Sequence, residues 1–287
     1  MEPSLDQSLL QALRDCLGEA PESFRPLAGA TSSELYRFRL RRGDAVLRRI
    51  LPARWDTAPE ELIDREFAIL TALQDCRLPA PAPIARLPDN ALVMSHLVGN
   101  VVLPASPTTG WLDDMARMLS RIHAADVVVP YRFESWNQQR SHPPPAWWQD
   151  TELWAEAQAL VSLPPDAPRV FLHRDYHPAN LLWVDGRISG VVDWINACMG
   201  PRGVDVAHCR LNLALMYGQP AADAFLQCYA GHVPGYEHDP FWDVDDALGF
   251  GPDVQPYPPW AEFGLTGLTT EVIRSRLEAF VQAAVSR

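Results

Sequence analysis

The segment "FLHRDYHPANLLWVDGRISGVVDW", residues 171–194, constrains the fold more than any other part of the chain. Apolar residues from Val170 to Leu172 lead into a loop crowded with His173, Arg174, Asp175, His177 and Asn180, and Leu181 to Val184 lead out of it. Asp185-Gly186 then predicts a two-residue hairpin, because glycine readily takes the positive φ that such turns need. The return strand, Ile188 to Val192, stops at Asp193. So short a turn brings both open ends of the hairpin to one side, so Asn180 and Asp193 should be neighbours, with Asp175 in the same loop. A solvated turn would use Asp175 and Asn180 for local backbone hydrogen bonds. Two carboxylates and an amide oxygen converging on one spot instead suit a hard divalent cation that keeps some waters, as Mg²⁺ does. Alternatively, one carboxylate stays free to take a proton from a hydroxyl. A magnesium ion and a positioned base are what phosphoryl transfer requires.

The 287 residues give room for one large domain or two lobes. A formal charge of −12 disfavours nucleic acid as a partner, since phosphates call for a basic face, and equally disfavours an anionic membrane surface. The opening "MEPSLDQSLL" has no basic-then-apolar signal pattern, and no apolar run is long enough to span a bilayer. Five scattered cysteines, none in a C-x-x-C pair, fit reduced thiols, and a cytoplasmic location is the expectation. All 24 basic residues are arginine, so any task usually given to lysine falls to another side chain.

Along the chain, an amphipathic helix is expected over 5–17 and antiparallel strands near 34–40 and 45–51, around a Gly-Asp turn. Residues 59–76 carry apolar side chains at helical spacing behind a proline and an acidic first turn. Short strands are expected at 83–87 and 91–97. Beyond Gly99 the pattern turns helical: 110–125, a helix after the proline-rich "SHPPPAW" of 141–147 and reaching about 161, then 203–217, 220–231 and 268–285. Residues 232–266 read as loop with one short helix. The fold class is therefore α+β, with a lobe of sheet and helix over 1–97 and a larger, mostly helical lobe over 98–287.

"HRDYHPAN" followed by "GVVDW" resembles the catalytic and metal-binding motifs of the aminoglycoside phosphotransferase family, small-molecule kinases related to choline kinases. The likeness runs in order from about Leu27 to Asp205. It implies a two-lobed protein-kinase-like fold, ATP and Mg²⁺ as cofactors, and a small-molecule hydroxyl as phosphoryl acceptor. By position, Asp175 resembles the catalytic base, and Asn180 and Asp193 resemble the magnesium ligands. His173 resembles a loop brace. In "MSHLVG", Met94 resembles the back of the adenine pocket, with the Ser95 carbonyl and Leu97 amide as hinge contacts to the base. Arg48, in "AVLRRI", stands where such kinases place a cation for the phosphates, and arginine's planar fork suits that task. Arg49 belongs to the opposite strand face. Glu66 resembles the helix carboxylate that pairs with that cation. The turn "AGATSSE" resembles a phosphate-covering loop only loosely, with Ser32 and Ser33 as possible contacts. Asp205 resembles a residue that holds the catalytic loop, and His208 and Cys209 after it read as packed.

Three other readings compete. Arg174 matches the arginine of protein kinases, yet residues 194–204 hold no Ser, Thr or Tyr and are too short for a peptide platform. "HRDYH" could begin a hydrolase metal site, though the remaining histidines are scattered. A nucleotide-binding pseudokinase would ordinarily lack one of Asp175, Asn180 or Asp193, and all three are present. From Leu211 to Thr270 there is no Lys or Arg, while Asp223, Glu237, Asp239, Asp243, Asp245, Asp246, Asp253 and Glu262 alternate with aromatic residues. The resemblance places the acceptor cleft here, and carboxylates with aromatic faces would favour a cationic acceptor such as an amino sugar or amino alcohol.

Overall fold

The computed structural model describes residues 7–51, 57–137, 143–250 and 254–287. Expectations touching residues 5–6, 141–142 and Asp253 lie outside that range. Helix α1 (Gln7–Leu17) is followed by strands β1 (Glu22–Pro26), β2 (Ser33–Leu40) and β3 (Gly43–Ile50), helix α2 (Pro59–Ala72), and strands β4 (Pro83–Leu87) and β5 (Ala91–Ser95). The five strands form one antiparallel sheet in the order β1-β2-β3-β5-β4. Alternation along β3 sorts its side chains between two faces. Ala45 and Leu47 pack with Leu9 and Leu13 of α1, whereas Val46 and Ile50 join Leu62, Ile63 and Ile69 of α2. Arg48 shares the parity of Val46 and Ile50 and is buried, while Arg49 faces the other way and pairs with Glu34 at 3.2 Å.

Two details depart from expectation. Strand β1, "ESFRP", was not foreseen: it is an exposed edge strand with no apolar alternation to announce it. Helix α2 ends at Ala72, and a single 3₁₀ turn, Leu73–Asp75, completes the expected span.

After the short strand β6 (Asn100–Val101) the chain turns helical with α3 (Thr109–His123) and α4 (Thr151–Leu160). Thr108 caps α3 by accepting the Trp111 N–H at 3.2 Å, leaving one fewer unpaired donor at the helix start. Strand β7 (Arg169–Leu172) enters the loop, and β8 (Leu181–Val184) and β9 (Arg187–Val191) make the hairpin. Val184 pairs with Arg187, and Asp185 and Gly186 both have positive φ (49° and 73°), the two-residue turn that Asp-Gly encodes. Strand β10 (Cys198–Pro201) returns to pair with β7.

The remaining helices are α5 (Gly203–Tyr217), α6 (Gln219–His232), α7 (Pro240–Leu248), α8 (Pro258–Glu262) and α9 (Thr270–Val285). The stretch read as loop with one helix thus holds two, α7 and α8. Asp239 caps the first by accepting the Phe241 N–H at 2.8 Å, and proline opens both. Helix α5 lies at the centre, against α6, α7 and α9, and is buried from Gly203 to Met216. A helix buried all round must pair each of its polar side chains. Arg210 meets Asp243 at 3.0 Å, and Asp205 and His208 turn toward the loop after β7. Among the described residues no helix is long and apolar enough to cross a membrane.

Asp205 shows how this helix positions the loop. Its two oxygens accept the backbone N–H groups of His173 (2.8 Å) and Arg174 (2.7 Å), and His123 lies 3.2 Å away. Arg174 sits at φ 71°, a strained conformation that these bonds hold in place. Asp205→Asn keeps the shape but supplies an acceptor for only one of the two N–H groups. Urea unfolding of this variant should show a loss on the order of 3 kcal/mol. Unchanged stability would mean that the loop is held by other contacts.

Candidate active site

The loop after β7 and the end of β9 meet as the hairpin requires. The Val192 N–H donates to the Asn180 carbonyl at 3.0 Å, which sets Asp193 beside Asn180. The Asn180 amide donates to the Asp175 carbonyl at 2.9 Å and lies 3.4 Å from its Oδ2. His173 stitches the two segments together: the Asp175 N–H donates to Nδ1 at 3.3 Å, leaving Nε2 to donate to the Val192 carbonyl at 2.9 Å. Its ring lies on Trp194 with centroids 4.5 Å apart. Both ring nitrogens are therefore committed to backbone, and the residue braces the loop.

Asp193 is left-handed (φ 66°, ψ 59°), a bend that aims its carboxylate back at the sheet. Its Oδ1 accepts from Arg48 Nη1 at 2.7 Å, and the same Nη1 donates to Glu66 Oε1 at 2.8 Å. Burial opposes the Arg48 charge, but Asp193 and then Glu66 outweigh it and hold the guanidinium firmly protonated. Burial pushes the Glu66 carboxyl up to about 7, with Arg48 offsetting part of the effect. Glu66 Oε2 and Arg48 Nε are buried without a hydrogen-bond partner, so the network is not saturated.

This triad forms the inner end of a cleft of ≈ 350 Å³. Ser32, Ser33, Met94, Ser95, Leu97, Asn180 and Asp193 all line it, beside Arg48 and Glu66. Every residue assigned to nucleotide or metal in the sequence thus borders one space. Two contacts were not foreseen. Glu262 accepts the Gly29 N–H at 2.9 Å, and Phe263 presses so close that a Cβ on Gly29 would lie 2.6 Å from its ring. The end of α8 therefore closes over the loop that carries Gly29.

Asp175, whose carboxylate lies 3.4 Å from the amide of the cleft-lining Asn180, sits among imidazoles. Burial would raise its carboxyl, but His177, His208 and His173 more than offset that and hold it well below the usual carboxylate range. His208 Nε2 is 3.1 Å from Asp175 Oδ1, and its Nδ1 is 3.1 Å from Asp246 Oδ2. Burial pushes the His177 imidazole down to about 4, with Asp175 pulling the other way. His208 was read from the sequence as packed, and the structure makes it part of the site. It follows Asp205 by three residues on one helix, and that spacing puts both on the face toward the loop.

Beyond His208 lies a second cavity, of ≈ 260 Å³, walled by Phe133, Trp136, Trp242 and Phe250 with Asp245, Asp246 and Arg174. The Arg174 guanidinium stacks on Trp136 at 3.6 Å, and its Nη1 is buried without a partner. Asp245 accepts from Ser135 at 2.6 Å and Asn137 at 3.3 Å. Of the described residues in the acidic run, Asp245 and Asp246 border this cavity. Asp243 is spent on Arg210 and His238, Asp223 on Arg210 and Arg287, Asp239 on a helix cap and Glu262 on Gly29.

A sequence profile of the phosphotransferase enzyme family matches residues 23–239, well over half of the chain. The chain belongs to that family. Its enzyme class is that of the small-molecule kinases, and its fold is theirs: two lobes, one a small antiparallel sheet with helices and one mostly helical. Choline kinase LicA from Streptococcus pneumoniae superposes with a TM-score of 0.65 at 15% identity, over 98% of this chain and 99% of that one. Aminoglycoside phosphotransferase APH(4)-Ia, in a ternary complex with ADP and hygromycin B, gives 0.63 at 15% identity over 98% of both chains. Macrolide 2′-phosphotransferase MphH from Brachybacterium faecium gives 0.58 at 17%, over 96% of this chain and 98% of that one. Likeness at this level of identity concerns the fold. No curated protein sequence matches the chain.

Arg48 carries a direct test of the cleft. Arg48→Ala should weaken ATP binding at least tenfold in calorimetry, because a charge-assisted bidentate partner for phosphate is gone and Glu66 is left buried and unpaired. Arg48→Lys should recover part of that affinity. Parent-like binding by Arg48→Ala would move the phosphate contact to another residue.

Proposed function

We propose that the protein moves the γ-phosphoryl group of ATP, as its magnesium complex, to a hydroxyl of a small cationic molecule. What carries this reading is that Asp175 lies beside Asn180 and Asn180 beside Asp193, the last two lining a cleft they share with the Arg48–Glu66 pair. The same positions supply the lobe assignment: nucleotide on residues 1–97, catalysis and acceptor on 98–287. Nucleotide use is supported by likeness to a fold that holds ADP in APH(4)-Ia.

Adenine would lie between Met94 and the hinge at Ser95 and Leu97, with its phosphates toward Arg48 and the loop bearing Ser32 and Ser33. The Asn180 side-chain oxygen and the one-third-exposed Asp193 carboxylate are hard oxygen donors facing the same cleft, the set that Mg²⁺ prefers. When bound there, magnesium would neutralise charge on the phosphates. Asp175 receives the acceptor hydroxyl. Its depressed pKa keeps it ionised at any working pH, so it orients the attacking oxygen and accepts the proton late. Phosphoryl transfer through a loose transition state asks for little more from its base.

The cavity beyond His208 is assigned to the acceptor, because it adjoins the base and combines aromatic faces with carboxylates. Asp245, which lines the cavity and accepts hydrogen bonds from Ser135 and Asn137, is the carboxylate assigned to an ammonium group of the acceptor. Aromatic walls would add cation–π attraction.

Three measurements test the reading. A coupled assay of ADP release should find turnover on a panel of aminoglycosides, amino alcohols, sugars, nucleosides and macrolides. In that assay Asp175→Asn should keep ATP affinity and lose about 10² or more in kcat. ATP binding with no ADP release on any panel member would make the chain a nucleotide-binding module instead. Affinity for ATP should depend on Mg²⁺ and fall in Asp193→Ala; equal binding with and without the metal, in both proteins, contradicts the ligand assignment. For the acceptor, raising ionic strength should lower kcat/KM and Asp245→Asn should lower it about tenfold. A neutral or anionic acceptor with salt-insensitive kcat/KM would remove the cationic preference.

A further inference from the structure

His208 is a buried, fully engaged side chain for which the chemistry above names no task. Its two ring nitrogens each lie 3.1 Å from a carboxylate oxygen, Nε2 from Asp175 Oδ1 and Nδ1 from Asp246 Oδ2. An ionised carboxylate can only accept, and a neutral imidazole carries a single N–H. Satisfying both contacts therefore requires both nitrogens to donate, which selects the imidazolium. The surroundings agree. Burial disfavours the charge, but Asp246 and Asp175 outweigh it and lift the imidazole to about 10. His177 stands with its ring 5.9 Å away on the loop and Trp136 at 6.0 Å closes the cavity side. The Asn212 amide nitrogen, which donates to the His208 carbonyl at 3.0 Å, also lies 3.3 Å from Nε2. Arg174 and Asp245 face the same cavity from farther along its wall.

The bridge has a direction. Asp246 is on α7 and His208 on α5, so the imidazolium is held from two elements of the helical core, and its free end grips one oxygen of a loop residue. A carboxylate on a loop has two equivalent oxygens and can rotate; this one is pinned at Oδ1. Oδ2, at 3.4 Å from the Asn180 amide, keeps only a long contact. We propose that His208 is a positioning residue: held by Asp246, it fixes one oxygen of the Asp175 carboxylate and turns the other toward the acceptor hydroxyl. This rests on the reading of Asp175 as the group that receives the acceptor. It gives Asp246 a positioning role at one remove, through His208.

The test uses the full chain with ¹⁵N-labelled histidine. Long-range ¹⁵N–¹H spectra should show His208 doubly protonated at pH 8, titrating near 10, and Asp246→Asn should bring that midpoint down toward the ordinary value of about 6.5. A neutral His208 at pH 8 overturns the proposal. ADP release from Mg·ATP is then measured on a pooled panel of hygromycin B, choline and other amino alcohols. His208→Gln and Asp246→Asn should each lose about tenfold to a hundredfold in kcat, with ATP affinity within about twofold of the parent. The double variant should be no worse than either single one, because both break one bridge. Asp246→Asn reaches the bridge from its other end and serves if His208→Gln does not fold. Parent-like turnover in both, beside loss in Asp175→Asn, sinks the positioning role alone. Parent-like turnover in Asp175→Asn sinks the base assignment and this proposal with it.

Discussion

Arg48 is the point on which the nucleotide half of the site turns. One nitrogen of its guanidinium reaches Glu66 on α2 and Asp193 beyond β9, so a single buried cation ties the sheet, its helix and the turn after the hairpin together. Burying a guanidinium costs several kcal/mol, and only well-placed partners repay it. Two carboxylates against one cation overcompensate: burial and the excess negative charge leave Glu66 raised to about 7. Such an arrangement is poorly suited to being merely structural, because a hydrophobic trio of equal volume would be more stable. It is well suited to a place where phosphate and a divalent cation bring charges of both signs.

The acceptor half depends on the opposite strategy, a loop held from beneath. Helix α5 is buried along nearly its whole length, yet offers Asp205 and His208 on the face toward the loop. Asp205 fixes backbone, at His173 and Arg174, and His208 fixes a side chain, at Asp175. Geometry is thereby bought at the expense of basicity, since the cation that holds Asp175 also stabilises its ionised form. For acyl transfer or enolisation that would be a poor exchange. For a displacement at phosphorus, where the proton leaves late, the direction of the attacking oxygen matters more than the strength of its base.

Much of this was legible in the sequence because it rested on local rules. Asp185-Gly186 encodes its own turn, and the turn alone puts Asn180 beside Asp193. Alternation along β3 separates Arg48 from Arg49 without any knowledge of the partner strands. Strand β1 was not legible, since Phe24 is its one residue packed inward and a single apolar residue shows no period. One of the two helices in 232–266 was missed because the proline, glycine and aromatic residues there read as loop, although Asp239-Pro240, ahead of α7, is a capping signal. His208 could have been found from its three-residue spacing to Asp205. Its partner Asp246 could not, because nothing local relates residues 38 positions apart.

The acidic stretch from Leu211 to Thr270 shows why composition misleads about a cleft. Eight carboxylates suggested a strong negative field over the acceptor, but charge acts after pairing. Asp243 and Asp223 neutralise Arg210 and Arg287, Glu262 serves the loop at Gly29, and Asp246 is committed to His208. Arg174, stacked on Trp136, brings a further positive charge to the same wall. What faces an acceptor cation in this cavity is local, at the Asp245 side of its aromatic walls, rather than spread over the lobe. Recognition at such a site depends on where an amine sits relative to the hydroxyl that reaches Asp175. That distance, more than net charge, would separate one amino alcohol or amino sugar from the next.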